Sequence, residues 1–330
     1  MNRRDFVMGL AALAAVPPAM ARQSILALPA VGPFIAKMNH EYGFVPEELR
    51  TFFAHMEVNR RVIELMDAPT APNKKVYWQE YRARRLLPRH VVAGVKFHHR
   101  HLAALRRAED NYGVPAEIIT AIIGVETKYG RHLGNFAVGR ALATLAFLYP
   151  RRGREFEDEL ADFLLYARDA KIDPAALRGS YAGAFGIPQF LPSSVRRFAV
   201  DFDNDGRVDL FTATDSIGSI GNFLSMHGWR RGAALLHGVV APHQVAPFVA
   251  ATENNDYKPI FSWSELKDAG FTAKDGKPDE GPYLLVDLEN RYDTEYRIGG
   301  QNFYALMRYN KSFKYAAVVV DLSEAVRQNL

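Results

Sequence analysis

The sequence predicts a mainly α-helical (α+β) protein with a small β-containing part. Residues 29–112 and 114–230 are dominated by stretches with helical character, which proline and glycine interrupt. After Gly232 the pattern changes to short runs that alternate with turns, as is typical of strands. The chain has no internal repeat and no low-complexity segment. About 310 residues with 48% hydrophobic content are enough for a sizeable core and more than one lobe.

The first 21 residues have the features of an export signal. Arg3 and Arg4 precede an apolar stretch from Val7 to Val16, and a small-residue cleavage site ends at Ala21. This pattern is typical of a twin-arginine signal peptide, and its apolar stretch is too short to span a bilayer. The chain has no cysteine, so neither a lipid-anchored cysteine nor a disulfide can form. We therefore expect a periplasmic protein that is not a lipoprotein.

The mature chain is expected to divide into lobes. After a signal peptide at residues 1–21, we expect an N-terminal helical lobe at 22–112, a core at 113–231, a small β-containing lobe at 232–298 and a C-terminal return to the core at 299–330. The formal charge is +4, and removal of the signal lowers it by one. So small an excess does not indicate nucleic-acid binding.

One carboxylate stands out in the core. The segment from Pro115 to Gly130 predicts a helix of about four turns, because proline suits the first turn and glycine suits the C-cap. At 100° per residue, six apolar side chains fall on one arc: Ile118, Ile119, Ala121, Ile122, Ile123 and Val125. Glu126 lies inside this arc.

The position of Glu126 suggests an acid that is hard to ionise. Glu117, Thr120 and Lys128 lie on the opposite side of the helix. Burial and the negative end of the helix dipole both raise the pKa of a carboxyl group at this position. Such a group can act as an acid in catalysis. From the helix alone, a carboxylate paired with an arginine at a helix end is an equal alternative.

A glycine-rich run follows from Gly179 to Gly186. Its small residues allow the backbone to approach a bulky ligand, and Ser180 and Gln189 offer hydrogen bonds of the kind that sugars need. A tight connection between two helices would use the same residues, so the run leaves both interpretations open.

An acidic loop beginning at Asp201 resembles the first part of an EF-hand. Aspartates stand at loop positions 1, 3, 5 and 9, and glycine stands at position 6. Thr212 occupies the position of the usual glutamate, and Asp215 is the candidate to close a longer loop. The pattern favours a structural Ca²⁺ site over a solvated acidic turn. No further carboxylate cluster suggests a catalytic metal.

The last part of the chain predicts both strands and helix. Strands are expected at 283–288 and 296–298, within the small lobe. A helix is expected at 301–309, and an apolar strand at 316–320.

Several long motifs in the chain are similar to one known family. They are GVETKYG, ALATLAFLYPRR, GSYAGAFGIPQFLPSS, DFDNDGRVDLFTATDSIGSIGNFL and HGW. In this order they resemble the lytic murein transglycosylase B family, and the similarity runs from about Phe34 to the C-terminus. The resemblance implies a lysozyme-like catalytic core that cleaves peptidoglycan.

The resemblance also implies roles for individual residues. Glu126 is the single catalytic acid and base, and the substrate-binding residues are Tyr81, Ser180, Gln189, Asn222, Tyr309, Asn310 and Tyr315. The Ca²⁺ ligands are Asp201, Asp203, Asp205, the main-chain carbonyl of Arg207, and Asp215. Phe223 stands where relatives can carry tyrosine, which removes one hydroxyl from the groove. No organic cofactor is expected.

The expected reaction and its alternatives differ in their products. The resemblance implies cleavage between N-acetylmuramic acid and N-acetylglucosamine with a 1,6-anhydro product. A lysozyme-like hydrolase would need a second acid, for which Asp162, Asp169 and Asp173 are available in sequence. A noncatalytic glycan-binding scaffold is the third interpretation. We expect a monomer whose partners are peptidoglycan strands, with proteins of cell-wall synthesis or division as further candidates.

Overall fold

A computed structural model describes residues 23–67 and 75–330. The chain forms two compact units that meet in sequence at Val58 and Asn59. The signal peptide expected at 1–21 lies outside the described residues. No helix of the described chain is both long enough and apolar enough to cross a membrane.

The first unit contains two helices, α1 (Val31–Tyr42) and α2 (Pro46–Ala54). α1 ends at Gly43, whose φ of 70° gives the left-handed conformation that glycine adopts most easily. Phe34 and Phe53 are buried and meet edge to face, with ring centroids 6.1 Å apart. Both helices lie within residues 29–112, where the sequence predicts helical character.

The second unit contains most of the helices. Before the sheet these are α3 (Arg60–Asp67), α4 (Trp78–Ala83), α5 (Pro88–Arg100), α6 (Leu102–Tyr112), α7 (Ala116–Thr127), α8 (Val138–Leu148), α9 (Gly153–Asp169), α10 (Pro192–Phe198) and α11 (Ala213–Met226). Two short strands, β1 (Phe136–Ala137) and β2 (Arg178–Gly179), pair antiparallel among them. α7 packs against α5, α6, α11 and the C-terminal helix, so it is central to this unit.

A four-stranded antiparallel sheet has the order β4-β3-β6-β5. Its strands are β3 (Leu236–Val240), β4 (Thr272–Ala273), β5 (Leu284–Glu289) and β6 (Thr294–Gly299), accompanied by α12 (Ala246–Asn254) and α13 (Trp263–Asp268). One face forms a small core of its own that includes Trp263, Phe271, Tyr283 and Ile298. The strands expected from sequence at 283–288 and 296–298 are confirmed within one residue at most boundaries.

The chain returns to the helical part through α14 (Gln301–Tyr309) and α15 (Phe313–Arg327). The helix expected at 301–309 is confirmed, whereas the strand expected at 316–320 is wrong, because these residues lie inside α15. α15 packs against α7, α5, α4, α14 and β5, so residues 316–320 are buried on every side. A short, uniformly apolar run has the same pattern in a buried strand and a buried helix.

Helices dominate the chain, with one small antiparallel sheet, so the mainly α prediction is confirmed.

Candidate active site

Helix α7 ends earlier than expected and places Glu126 in its last turn. Lys128, Tyr129 and Gly130 all have positive φ values, of 49°, 62° and 81°, so the helix stops at Thr127. Thr120, expected on the outer side, is fully buried and donates its hydroxyl hydrogen to the carbonyl of Ala116. The helix is therefore surrounded by protein over most of its length, and its last turn, which contains Glu126, is half-buried.

The carboxyl group of Glu126 is hard to ionise, as the sequence predicts. Burial raises its pKa to about 7. Two interactions act in the opposite direction, a hydrogen bond from Tyr315 and the positive charge of Arg85. Burial outweighs both, so near neutral pH a large fraction of Glu126 carries the proton that acid catalysis needs.

Two tyrosines from the C-terminal helices lie beside Glu126. The hydroxyl of Tyr315 donates to Oε1 of Glu126 at 2.6 Å. The ring of Tyr309 stacks on that of Tyr315, with centroids 6.3 Å apart and planes 12° from parallel. Tyr309 in turn donates to the carbonyl of Pro188 at 2.6 Å. Helices α14 and α15 thus bring two of the expected groove residues beside Glu126, although both lie nearly 190 residues later in the chain.

Tyr81 and Arg85 approach from the end of α4 and the segment after it. The guanidinium of Arg85 lies 3.6 Å from the centroid of the Tyr81 ring. The charge of Arg85 lowers the pKa of Glu126. Burial raises the pKa of Tyr81, and the charge of Glu126 raises it further. These mutual effects place both side chains in the electrostatic environment of the carboxyl group.

The glycine-rich segment forms a closed turn structure next to α7. Ser180 accepts a hydrogen bond at Oγ from the amide of Ala184. Gln189, at a φ of 52°, donates through Nε2 to the carbonyls of Leu133 and Gly186. Both side chains are half-buried, and part of their hydrogen-bonding capacity is already used within the protein.

The glycines of this segment make room for protein atoms. A Cβ on Gly183 would lie 2.3 Å from a methyl group of Leu142, and one on Gly186 would lie 2.6 Å from Cβ of Leu210. Both residues also have positive φ. These two glycines are therefore required by tight internal packing, which agrees with the second interpretation of the run.

Among the described residues, neither Asn222 nor Asn310 forms a hydrogen bond with Glu126. Asn222 donates its side-chain amide to the carbonyl of Phe198 at 2.9 Å. Asn310 is exposed and follows the last residue of α14. Phe223 is buried against Tyr309, with ring centroids 4.9 Å apart.

Two side chains that sequence reasoning did not select hold the end of α7. The hydroxyl of Tyr129 donates to the carbonyl of His90 and occupies the space beside Gly124. Thr127 links α7 to the glycine-rich segment, because its hydroxyl lies 3.2 Å from the carbonyl of Ile187. Both lie within three residues after Glu126 in the GVETKYG motif, so their proximity in sequence was the available signal.

The acidic loop gathers three of the four expected carboxylates. Oxygens of Asp201, Asp203 and Asp215 all lie within 4.8 Å of one another. Asp215 is almost fully buried and accepts hydrogen bonds from the amides of Phe202, Asp203 and Asp209. Asp205 is outside this group, since it accepts from the amide of Arg207 and lies 3.9 Å from its guanidinium. Carboxylate oxygens gathered around a turn are ligands that suit Ca²⁺.

The three aspartates considered as a second acid are used elsewhere. Asp162 pairs with Arg196 at 2.7 Å, Asp169 with Arg168 at 3.3 Å, and Asp173 accepts from the amide of Ala175. Within the described residues, no carboxylate contacts Glu126.

Comparisons with known proteins agree on one family. A model of the transglycosylase SLT domain matches residues 28–324. The membrane-bound lytic murein transglycosylase B of Escherichia coli strain K12 is 40% identical over 304 residues, which cover 89% of this chain and 81% of that protein.

Solved structures give the same result. The E. coli lytic transglycosylase Slt35 in complex with calcium has a TM-score of 0.83 at 36% identity and covers 93% of this chain and 96% of its own. The same enzyme in complex with bulgecin A has a TM-score of 0.83 at 38% identity, with the same coverage. The lysozyme-like fold expected from sequence is therefore confirmed.

Proposed function

The chain belongs to the lytic murein transglycosylase family of enzymes, and from this premise we propose its reaction and the roles of its residues. The substrate is the glycan strand of peptidoglycan. The enzyme cleaves the β-1,4 bond between N-acetylmuramic acid and N-acetylglucosamine and leaves a 1,6-anhydro end. The observation that carries this proposal is a single carboxyl group, Glu126, with a pKa raised to about 7 by burial.

In the first step, protonated Glu126 gives its proton to the glycosidic oxygen. The acetamide of the substrate stabilises the positive charge that develops at the anomeric carbon, as in substrate-assisted glycosidases. The bond from the anomeric carbon to the leaving oxygen breaks, and N-acetylglucosamine leaves with a hydroxyl group. Glu126 is then a carboxylate, which the Tyr315 hydroxyl and the charge of Arg85 stabilise.

In the second step, the Glu126 carboxylate removes the proton from the C6 hydroxyl of the muramoyl residue. The C6 oxygen attacks the anomeric carbon and closes the anhydro ring, so no water is consumed. One carboxyl group therefore serves as acid and then as base. This fits a site in which no carboxylate of the described chain contacts Glu126.

The remaining groove residues are proposed to bind sugar. Tyr81 and Tyr309 offer aromatic rings, and Ser180, Gln189 and Asn310 offer polar groups that are partly free. Asn222 is proposed at the edge of the groove. These side chains orient the glycan so that the bond to be broken meets Glu126.

Mass spectrometry of murein digests tests this proposal. We expect the wild-type enzyme to release anhydromuropeptides, and Glu126→Gln to release none while it still binds glycan. Glu117→Gln is a matched control, because it changes a glutamate in the first turn of the same helix. Products that carry an added water would identify a hydrolase, and anhydro products from Glu126→Gln would remove Glu126 from its role.

We also propose a structural Ca²⁺ site in the acidic loop. Asp201, Asp203 and Asp215 fit the ion by their clustered oxygens, and Asp205 and the Arg207 carbonyl complete the set by family resemblance. When bound, the ion neutralises the clustered carboxylates and ties the loop to the start of α11. The related Slt35 structure with calcium supports this assignment.

The location is proposed to be the cell envelope, where murein lies. A twin-arginine signal at 1–21 would export the enzyme to the periplasm.

A further inference from the structure

A second cavity lies on the face of the sheet that turns away from the small core. Its volume is about 480 Å³, within the range of sites that bind small molecules. β3, β6, α4 and α15 all contribute to its walls. None of the residues assigned to the glycan groove lines it, although Arg82, which does, follows Tyr81 directly in the chain.

The cavity arises from strand alternation and one glycine. Ile298 of β6 faces the small core, so Arg297 and Glu295 face the other way. Gly238 of β3 is paired with Arg297 in the sheet register and therefore lies on the same face. Because Gly238 has no side chain, the space beside Arg297 stays open. A Cβ added there would meet the nearest side chain, that of Lys274, at 3.4 Å.

An ion-pair cluster forms one wall of the cavity. Asp321, which is almost fully buried, accepts from Arg297 at 2.6 Å and 3.2 Å, and also from Nε of Arg82. Glu295 accepts from Arg297 at 2.6 Å and from the indole of Trp78 at 3.0 Å. Two arginines and two carboxylates balance each other, so this wall adds no net charge.

Charged groups of both signs remain free around the cavity. Among the described residues, the two terminal nitrogens of Arg82 and the side chains of Lys274, Asp275 and Glu324 have no hydrogen-bond or ion-pair partner. The cavity therefore offers cationic donors for a carboxylate and anionic acceptors for an ammonium group. A ligand that carries only one sign of charge would leave one set unused and would meet repulsion from it.

We propose that this cavity binds a zwitterionic amino-acid group, one that carries a carboxylate and an ammonium group. This inference rests on the proposed function for its source of ligand, because the peptide stems attached to muramic acid can carry a diaminopimelate residue, whose side chain ends in a carboxylate and an ammonium group on one carbon. Arg82, which lines the cavity, follows Tyr81, which is proposed to hold the glycan, so the Cα atoms of these two residues are about 3.8 Å apart. In this arrangement the cavity binds a peptide stem while the groove beside Glu126 binds the glycan strand.

Calorimetry with three related probes tests the charge argument. meso-2,6-Diaminopimelate carries both groups, pimelate carries only the carboxylates, and 1,5-diaminopentane carries only the ammonium groups. We expect binding of diaminopimelate at least about tenfold tighter than that of the other two, as the loss of one charge-assisted hydrogen bond would give. Equal binding of all three, or no binding of diaminopimelate, would overturn the proposal.

Variants of the cavity test its location. Gly238→Val fills the space with a residue that strands favour, and we expect it to abolish diaminopimelate binding, whereas Gly238→Ala should retain it. Lys274→Met and Glu324→Gln change exposed side chains and should each weaken binding about tenfold. Lys267→Met, on α13, is the control and should bind like the wild type. Wild-type affinity in all of the cavity variants would place any binding elsewhere.

Cleavage assays separate this inference from the proposed function. Intact murein is compared with glycan strands from which an amidase has removed the stems. We expect Lys274→Met to raise KM on intact murein alone, with kcat unchanged. If the wild type releases anhydro products but Lys274→Met has the wild-type KM on both substrates, the stem site is wrong and the reaction stands. If the wild type releases no anhydro products, the proposed reaction is wrong, and calorimetry alone tests whether the cavity binds diaminopimelate.

Discussion

Tyr315 and Arg85 hold the pKa of Glu126 below the value that burial alone would give. Burial raises the pKa because a carboxylate loses water on leaving solvent, and the hydroxyl of Tyr315 and the charge of Arg85 recover part of that loss. The result is a pKa of about 7. A group with this pKa can donate a proton and accept one back near neutral pH, which the proposed two-step reaction requires.

The Tyr315→Phe variant should shift the pH dependence of activity. The hydroxyl stabilises the charged form of Glu126, so its removal should raise the Glu126 pKa further, by about one unit. Since the first step needs the protonated acid, the alkaline limb of kcat/KM should move to higher pH. Turnover near neutral pH should fall, because the carboxylate formed in that step is less stable. The measurement is kcat/KM as a function of pH on murein fragments.

Tyr309→Phe is the matched control for this experiment. Tyr309 stacks on Tyr315 but donates its hydroxyl to the carbonyl of Pro188. Its loss should leave the alkaline limb near that of the wild type. An equal shift in both variants would show that packing of the tyrosine pair, and not the hydrogen bond, sets the Glu126 pKa.

Residues differ in how much of their role the sequence reveals. Glu126 could be selected from sequence because its position among apolar residues of one helix is a local property. The hydrogen bond from Tyr315 joins residues 189 positions apart, and family resemblance placed Tyr315 in the groove without indicating this bond. No local pattern in the sequence indicates that the charge of Arg85 acts on Glu126.

At the scale of elements, the acidic loop and α11 depend on one aspartate. Asp215 lies in the first turn of α11 and accepts three backbone amides of the loop that precedes it. Within the part of the chain that the structure describes, Asp203 accepts only from the amide of Asp205. The first side chain therefore organises the loop even without an ion, whereas the second serves mainly as a proposed ligand.

These two aspartates should respond differently to calcium. For Asp203→Asn we expect a lower Tm than the wild type in calcium, and an equal Tm with chelator. For Asp215→Ala we expect a lower Tm in both conditions, because three amides lose their acceptor. Calcium at 100 times its Kd should stabilise the wild type by about 2.7 kcal/mol. The measurement is thermal unfolding with calcium and with chelator. If the Tm of the wild type is the same in both conditions, the loop does not bind Ca²⁺ as proposed.

Helix α15 shows why an element type can be missed. Its apolar run at 316–320 is rich in valine, which favours strands in isolation. Ser312 caps the helix by accepting from the amide of Tyr315, and the surrounding helices bury the run on all sides. Burial by the neighbouring helices therefore outweighed the local preference for a strand. The sequence of the run itself does not indicate these neighbours.

At the scale of the whole molecule, Asp321 joins elements that are distant in sequence. It lies on α15 and binds Arg82 at α4 and Arg297 of β6. Two residues of α4 also donate hydrogen bonds to this region: the indole of Trp78 to Glu295, and the backbone amide of Gln79 to the side-chain oxygen of Asn290. This network ties the sheet and the C-terminal helix to the segment that carries Tyr81.

Loss of Asp321 should destabilise the fold strongly. Asp321→Ala leaves the largely buried guanidinium of Arg297 without its main partner, and we expect a cost of about 3–5 kcal/mol in the free energy of unfolding. Glu289→Gln, which breaks the exposed pair with Lys75, should cost much less, because solvent screens the two charges. Urea unfolding compares the two, and equal costs would mean that the Asp321 network contributes no more than a surface pair.

The pKa of Glu126 also predicts a change in global stability with pH. The pKa of Glu126 in the folded protein, about 7, is above its ordinary value of 4.5. The protonated group therefore contributes its full free energy of stabilisation below pH 4.5, and this contribution is lost as the pH rises through 7. Glu126→Gln does not titrate. Relative to the wild type, it should therefore gain on the order of 3 kcal/mol in unfolding free energy between pH 4 and pH 8.

Urea unfolding of the wild type and Glu126→Gln at both pH values measures this gain, and Glu117→Gln is the control. If the difference between wild type and Glu126→Gln did not change with pH, Glu126 would titrate normally and could not be the proposed acid.

The sequence by itself determined the helical character of the chain, the helix that carries Glu126, the acidic loop and the strands of the small lobe. These follow from spacing, turn residues and charge over a few neighbouring positions, which the chain fixes locally. The tertiary structure alone decided that residues 316–320 are helical, that Tyr315 and Arg85 limit the rise in the Glu126 pKa caused by burial, and that Gly238 opens a charged cavity beside Arg297. Each of these depends on burial and on charges brought together from distant segments, and solvation around a group is set by everything that packs on it.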